Sequence, residues 1–226
     1  MAEDLKHRLL QVAGAAFARR GFDGASIRDI CREAGASVAA IHYHFRDKRS
    51  LYITCLEAAQ AEKTHLALLA AHADAPARDR LRLFIHGMLA SQNAPHKPAW
   101  HMELILQEMV RPTDATGVLV ERFIRPMASA LKEIVEDLSP GISESEHGGW
   151  PTGFSIVSQV LFYSTYSPIV RLLMGEDAFQ RLSVDAIADH ITQFTLAALG
   201  KGQPLTVSTA ESAAELAAEL AAGKAS

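Results

Sequence analysis

Between residues 26 and 45 the chain reads SIRDICREAGASVAAIHYHF, and the second half of that run groups small side chains with imidazoles and a phenol. Ala39 and Ala40 let a helix approach base edges closely, while His42, Tyr43 and His44 can bond phosphate oxygens or bases. Arg28 carries the planar fork that matches guanine in the major groove. Lys48 opens a later helix, where a cation is unfavourable for the helix dipole, so its placement suggests an external anion such as a DNA phosphate. With the capping serines, the candidate DNA-binding residues are Ser26, Arg28, Ser37, Ala39, Ala40, His42, Tyr43, His44 and Lys48. Tyr43 and Lys48 are expected on phosphates, and Arg28, Ala39 and His42 on base edges.

The elements that must position these residues are legible too. Ser26 is a good N-cap for a helix with Ile27, Ile30 and Ala34 on its apolar side. Gly35 follows where that helix must stop, because glycine takes the left-handed conformation at least cost. Ser37 caps a second helix whose inward face is read as Val38 and Ile41, ending at Phe45. Upstream, Leu5, Leu9, Val12, Ala13, Ala16 and Phe17 make an apolar stripe at helical spacing that stops at Gly21. Downstream, Asp47 caps the next helix. The pattern is a helix-turn-helix flanked by the helices it needs.

The run Phe17-Ala18-Arg19-Arg20-Gly21-Phe22, then Ser26-Ile27-Arg28-Asp29-Ile30, Ala34-Gly35, Ile41-His42-Tyr43-His44-Phe45, Asp47-Lys48 and Leu51-Tyr52 resembles the N-terminal domain of TetR-family transcriptional regulators. The resemblance covers about the first quarter of the chain. It departs at Cys31, where the family commonly has alanine, and His42 occupies a recognition-helix position that varies. It implies an all-α homodimer with a variable ligand-binding domain behind a three-helix DNA-binding head. The expected division is 1–46 for the head, 47–200 for a helical ligand-binding and dimerisation domain, and 201–226 for an Ala-rich tail.

Bulk properties allow this. The 226 residues are 49% hydrophobic and 21% charged, the range of an ordinary globular protein, with a net charge of −4. Residues 1–60 hold nine Lys/Arg against seven Asp/Glu, so the basic excess sits with the expected head. Cys31 and Cys55 lack metal-ligand spacing, and both fall on expected helices, where a small buried thiol is common. No apolar run approaches the roughly 18 residues of a membrane span, and MAEDLKHR lacks a signal-peptide core. The expected compartment is the cytoplasm.

The rest of the chain reads as helix. Residues 48–72 form one long amphipathic stretch expected to link head and body. Pro76 begins the next helix, and residues 93–98 break the chain. Pro126 should kink the stretch 116–138. Residues 139–149 form a mobile surface loop, and two further helices cover 150–166 and 184–199. The stripes Phe154, Val157, Leu161, Phe162 and Ile187, Ile191, Phe194, Ala198 read either as core or as a four-helix interface with a twofold mate. Thr209 to Ala222 is either an appended helix or frayed.

Residues 101–113 and 122–127 resemble the ligand domain of the CecR-type subgroup, which places a small-molecule effector in the middle of the chain. Candidate ligand-binding residues are Phe84, Met88, Trp100, Glu103, Gln107, Glu108, Phe123, Met127, Tyr163 and Tyr166. Aromatics and methionines at this spacing also read as plain core, and the carboxylates as solvent-facing or paired with Arg111, Arg122 or Arg125. An enzyme is not expected. Glu62 and His65 have the Glu-x-x-His spacing of di-iron bundles, but its only other copy, Glu144 and His147, falls in a loop. Nucleotide-binding and nucleophile-elbow motifs are absent. No metal or cofactor is expected. A metal-responsive regulator and a helical adaptor without DNA contact stay as alternatives.

Overall fold

Local signals that begin and end helices account for most of the architecture. The computed structural model describes residues 2–60, 64–92 and 97–202, and all regular structure in them is helical. Helix α1 (Ala2–Gly24) has Glu3 and Asp4 in its first turn, favourable for the dipole, and breaks at Gly21, whose φ of 70° suits glycine. Helix α2 (Ile27–Ala34) is capped by Ser26, whose Oγ accepts from the Asp29 amide, and ends at Gly35 with φ 62°. Ser37 caps α3 (Val38–Phe45) by accepting from the Ala40 amide, and Asp47 caps α4 (Lys48–Ala59) by accepting from the Ser50 amide.

Behind these lie α5 (Thr64–Ala71), α6 (Ala77–Gln92) and α7 (Trp100–Val110), then α8 (Thr116–Leu119) and α9 (Arg125–Leu138). Helices α10 (Trp150–Thr165), α11 (Ser167–Met174), α12 (Glu176–Arg181) and α13 (Val184–Ala198) complete the described chain. Two cores form. The first joins Leu9, Phe17, Ile30, Ile41, Phe45, Leu51 and Tyr52 of the N-terminal helices to Trp100, Leu104 and Leu119. The second gathers Leu81, Phe84, Ile85, Leu131, Val135, Ile156, Val160, Ile187 and Ile191. Both cysteines are buried and free.

Several expectations change. The single helix over 48–72 is two helices: α4 ends at Ala59 with Gln60 in a non-helical turn, and α5 packs on α6 instead. The kink expected at Pro126 lies just upstream, as a wide π turn over Val120–Ile124 in which the Arg125 amide bonds the Val120 carbonyl. Proline lacks an amide proton and crowds the carbonyl four residues back, so a looser turn before it relieves both. Residues 139–149 are largely exposed, yet they contain a 3-10 turn over Pro140–Glu144 and hydroxyl bonds from Ser143 and Ser145 to backbone carbonyls. The two apolar stripes are each divided: Ile187 and Ile191 are buried, while Phe154, Phe162 and Phe194 are exposed. Glu62, the breaker at 93–96 and the tail helix at 209–222 lie outside the described residues.

Candidate DNA interface and effector cavity

Helix α3 is anchored by Ile41 and Phe45, both buried, so the opposite face points outward. Val38, expected to point inward with Ile41, is 40% exposed. Val38 is the first residue of α3, at the end where Ser37 caps the helix. Ala39, His42 and Tyr43 are exposed, Ala40 and His44 half-buried, and Tyr43 shows 82% of its surface to solvent. The Tyr43 and His44 rings meet edge-on, with centroids 4.8 Å apart. Arg28 is exposed on α2. The Ser26 and Ser37 hydroxyl oxygens accept from the Asp29 and Ala40 amides at 3.4 and 3.3 Å, and each hydroxyl keeps its own proton to donate.

Lys48 has an internal explanation besides the anion expected from its position. Its Nζ donates to the Asp23 carbonyl at 3.3 Å and stands 4.8 Å above the Phe22 ring. The ammonium thereby ties the end of α1 to the start of α4. The Ser50 amide bonding the Asp47 cap holds that carboxyl below its ordinary range.

The second feature is a cavity of about 270 Å³, open on one side and lined by the end of α4 at Ala59, residues 97–99, α6, α7, the π turn, α9 and α10. Phe84, Met88, Phe123 and Met127, four of the ten expected ligand residues, line it. So do His101, Met102, Ile105, Leu106 and Met109 of α7, which sequence reasoning missed. The π turn brings in both Phe123 and Ile124. Four methionines, 88, 102, 109 and 127, make an adaptable wall of polarizable side chains.

The other six expected ligand residues do not line the cavity. Trp100 faces α1: its Nε1 donates to Gln11 at 2.9 Å and its ring covers Gly14. Glu103 is exposed, and the Gln107 amide lies beside Gly21. Tyr163 packs at the edge of the second core, and Tyr166 is exposed beside Phe162. Glu108 is fully buried on the side of the first core, where it accepts from the Tyr52 hydroxyl at 2.6 Å, the Thr113 amide and hydroxyl at 3.0 Å and the Thr116 hydroxyl at 2.5 Å. The reason is helical rotation. Positions 100, 104 and 108 share the face toward α1 and α4, while 101, 102, 105 and 109 share the face toward the cavity. The spacing of Met102, Ile105 and Met109 carried that signal.

Helix α4 is bound to this region by further polar links. Arg49 Nε donates to Asp114 at 2.7 Å, and Arg122 pairs with Glu57. Burial and the bond to Glu108 push the Tyr52 hydroxyl well above its ordinary pKa, so it stays the donor of that bond.

Residues 9–55 match the family model for bacterial regulatory proteins of the tetR family, and residues 77–199 match that for the C-terminal domain of the HTH-type transcriptional dual regulator CecR. Among solved structures, a transcriptional regulator from Pseudomonas aeruginosa PAO1 aligns with a TM-score of 0.63 at 21% identity, over 90% of this chain and 96% of its own. AibR in complex with isovaleryl coenzyme A and operator DNA aligns with a TM-score of 0.62 at 18% identity, over 84% and 97%. HlyIIR, a hemolysin II transcriptional regulator, aligns with a TM-score of 0.55 at 21% identity, over 85% and 99%. Among curated proteins, none matches the sequence significantly.

Proposed function

Since the chain belongs to the TetR family of transcriptional regulators, with a CecR-type C-terminal domain, we infer that it is a repressor whose dimer leaves a pseudo-palindromic operator when a small molecule enters the cavity. The observation that carries this reading is the outward face of α3, small at Ala39 and polar at His42, Tyr43 and His44 on a helix locked from behind by Ile41 and Phe45. Two such helices in a dimer, about 34–36 Å apart, enter successive major grooves. The functional division follows the residues: 1–46 read DNA, 47–200 bind the effector and the mate, and 201–226 form the tail.

The exposed Phe154, Phe162 and Phe194 supply the contact with the second protomer. A small, largely apolar effector suits the Met- and Phe-lined wall. Its signal reaches the head through α7, which carries cavity residues on one face and Glu108 on another. Glu108 grips Tyr52 of α4, and α4 packs on α1 and α3. An effector acts only by preferring one of the two arrangements of that bridge. Membership of the family supports a cytoplasmic location, where the DNA is, and among the described residues no helix is long and apolar enough to cross a membrane.

The test is fluorescence anisotropy of the full chain with DNA from upstream of its own gene. Binding should be sequence-selective, and log K should fall with log salt, the slope shrinking by about one phosphate in Lys48→Ala. Ligands that raise the unfolding temperature should release the DNA. A chain that binds all duplexes alike at physiological salt, or a cavity ligand that leaves DNA affinity unchanged, would refute the reading.

A further inference from the structure

The recognition helix ends in a backbone conformation that its sequence does not favour. Arg46 has φ 72° and ψ −57°, the single positive φ outside glycine among the described residues. Across it the Asp47 amide donates to the Phe45 carbonyl at 3.0 Å, so residues 45–47 form a γ-turn of the rare, strained hand. Such strain persists only where the surroundings impose it, and it gathers at working sites. Here two helix ends impose it. The Arg46 amide closes α3 on the His42 carbonyl at 3.2 Å, and the Asp47 side chain opens α4 on the Ser50 amide at 2.7 Å. One residue is left to reverse the chain.

The turn also aims the Arg46 carbonyl at His42, whose Nδ1 lies 2.7 Å from that oxygen. A carbonyl oxygen only accepts, so Nδ1 must carry the proton. A neutral imidazole has a single N–H, which leaves Nε2 as a bare acceptor. His42 is exposed one turn after Ala39, whose methyl group cannot cover the ring. In the major groove, adenine N6 and cytosine N4 present donors, whereas guanine and thymine present only acceptors and the thymine methyl.

We propose that His42 is a specificity-determining residue that selects an exocyclic amino group, adenine N6 or cytosine N4, because the strained turn at Arg46 fixes its tautomer. The proposal rests on the reading that α3 enters the major groove. Guanine or thymine at that position would set a lone pair on Nε2 against one on O6 or O4 with no proton between them, leaving both unsatisfied.

Two measurements on the full-length protein test it. Imidazole 15N chemical shifts of the free protein, recorded with the ring in its neutral form, should report Nδ1 protonated and Nε2 bare. Selection from a randomised operator should then locate a position whose preference disappears in His42→Ala, an exposed substitution. That base should be adenine or cytosine, favoured about five- to tenfold over guanine. If it is adenine, purine lacking the 6-amino group should lose the preference and 7-deazaadenine should keep it. If it is cytosine, pyrimidin-2-one lacking the 4-amino group should lose it. Guanine or thymine at the His42-dependent position would overturn the proposal, as would loss with 7-deazaadenine or a protonated Nε2. Absence of any selectivity in the unsubstituted protein would instead overturn the DNA-binding reading and this proposal with it.

Discussion

The two hydrophobic cores solve different problems. The first is closed by directional contacts. Phe17 and Phe22 meet Tyr52 edge-on at 4.9 and 5.1 Å, Trp100 seats on Gly14, and Glu108 collects hydrogen bonds from three residues. Each of these has one good geometry, which is what a helix that must meet base edges requires. The buried residues of the second core are aliphatic apart from Phe84 and Met88, and they border a cavity walled by flexible thioethers. Such a wall can repack around a guest. Helix α7 lends Trp100, Leu104 and Ile105 to the first core and His101, Met102, Leu106 and Met109 to the cavity wall, so a shape change on the adaptable side is felt on the stiff one.

Substitutions can break or sharpen this contrast. The largest effect is expected from Glu108→Ala, which leaves the Tyr52, Thr113 and Thr116 hydroxyls without their acceptor. Urea unfolding should register a loss of about 3 kcal/mol or more, against about 1 kcal/mol for Tyr52→Phe. Equal small losses from both would mean that the first core does not depend on its polar bridge. Gly14→Ala comes next. A methyl there would lie 2.5 Å from the Trp100 ring, and the resulting overpacking should cost about 2 kcal/mol despite the better helix propensity of alanine.

On the adaptable side the effect on stability shrinks. Met88→Leu and Met127→Leu keep volume and hydrophobicity, so each should change stability by less than about 1.5 kcal/mol. Calorimetric titration should nevertheless show altered affinity for cavity ligands of different shapes, since leucine adapts less. Unaltered affinities across such a set would remove flexibility as the distinction between the cores. The smallest change is expected at Arg46→Gly, which relieves a positive φ at the cost of greater freedom in the unfolded chain. Thermal unfolding should show a gain of about 1 kcal/mol. A clear loss would mean that the Arg46 side chain itself holds the turn.

The sequence alone determined what depends on neighbours in the chain. Ser26, Gly35, Ser37 and Asp47 mark helix ends through bonds that span three or four residues, so α2, α3 and the start of α4 could be read directly. The motif at 17–52 carried the family for the same reason. Tertiary structure decided which face of a helix meets which partner. Periodicity shows that α7 is apolar on two sides, but only packing against α1 and α4 turns Trp100 and Glu108 toward the head and leaves His101, Met102, Ile105 and Met109 to the cavity. The division of α4 from α5, the π turn before Pro126 and the γ-turn at Arg46 escaped the sequence likewise. In each, the local preference for continuing a helix or avoiding strain is worth only about 1–3 kcal/mol, within what the surrounding packing can override.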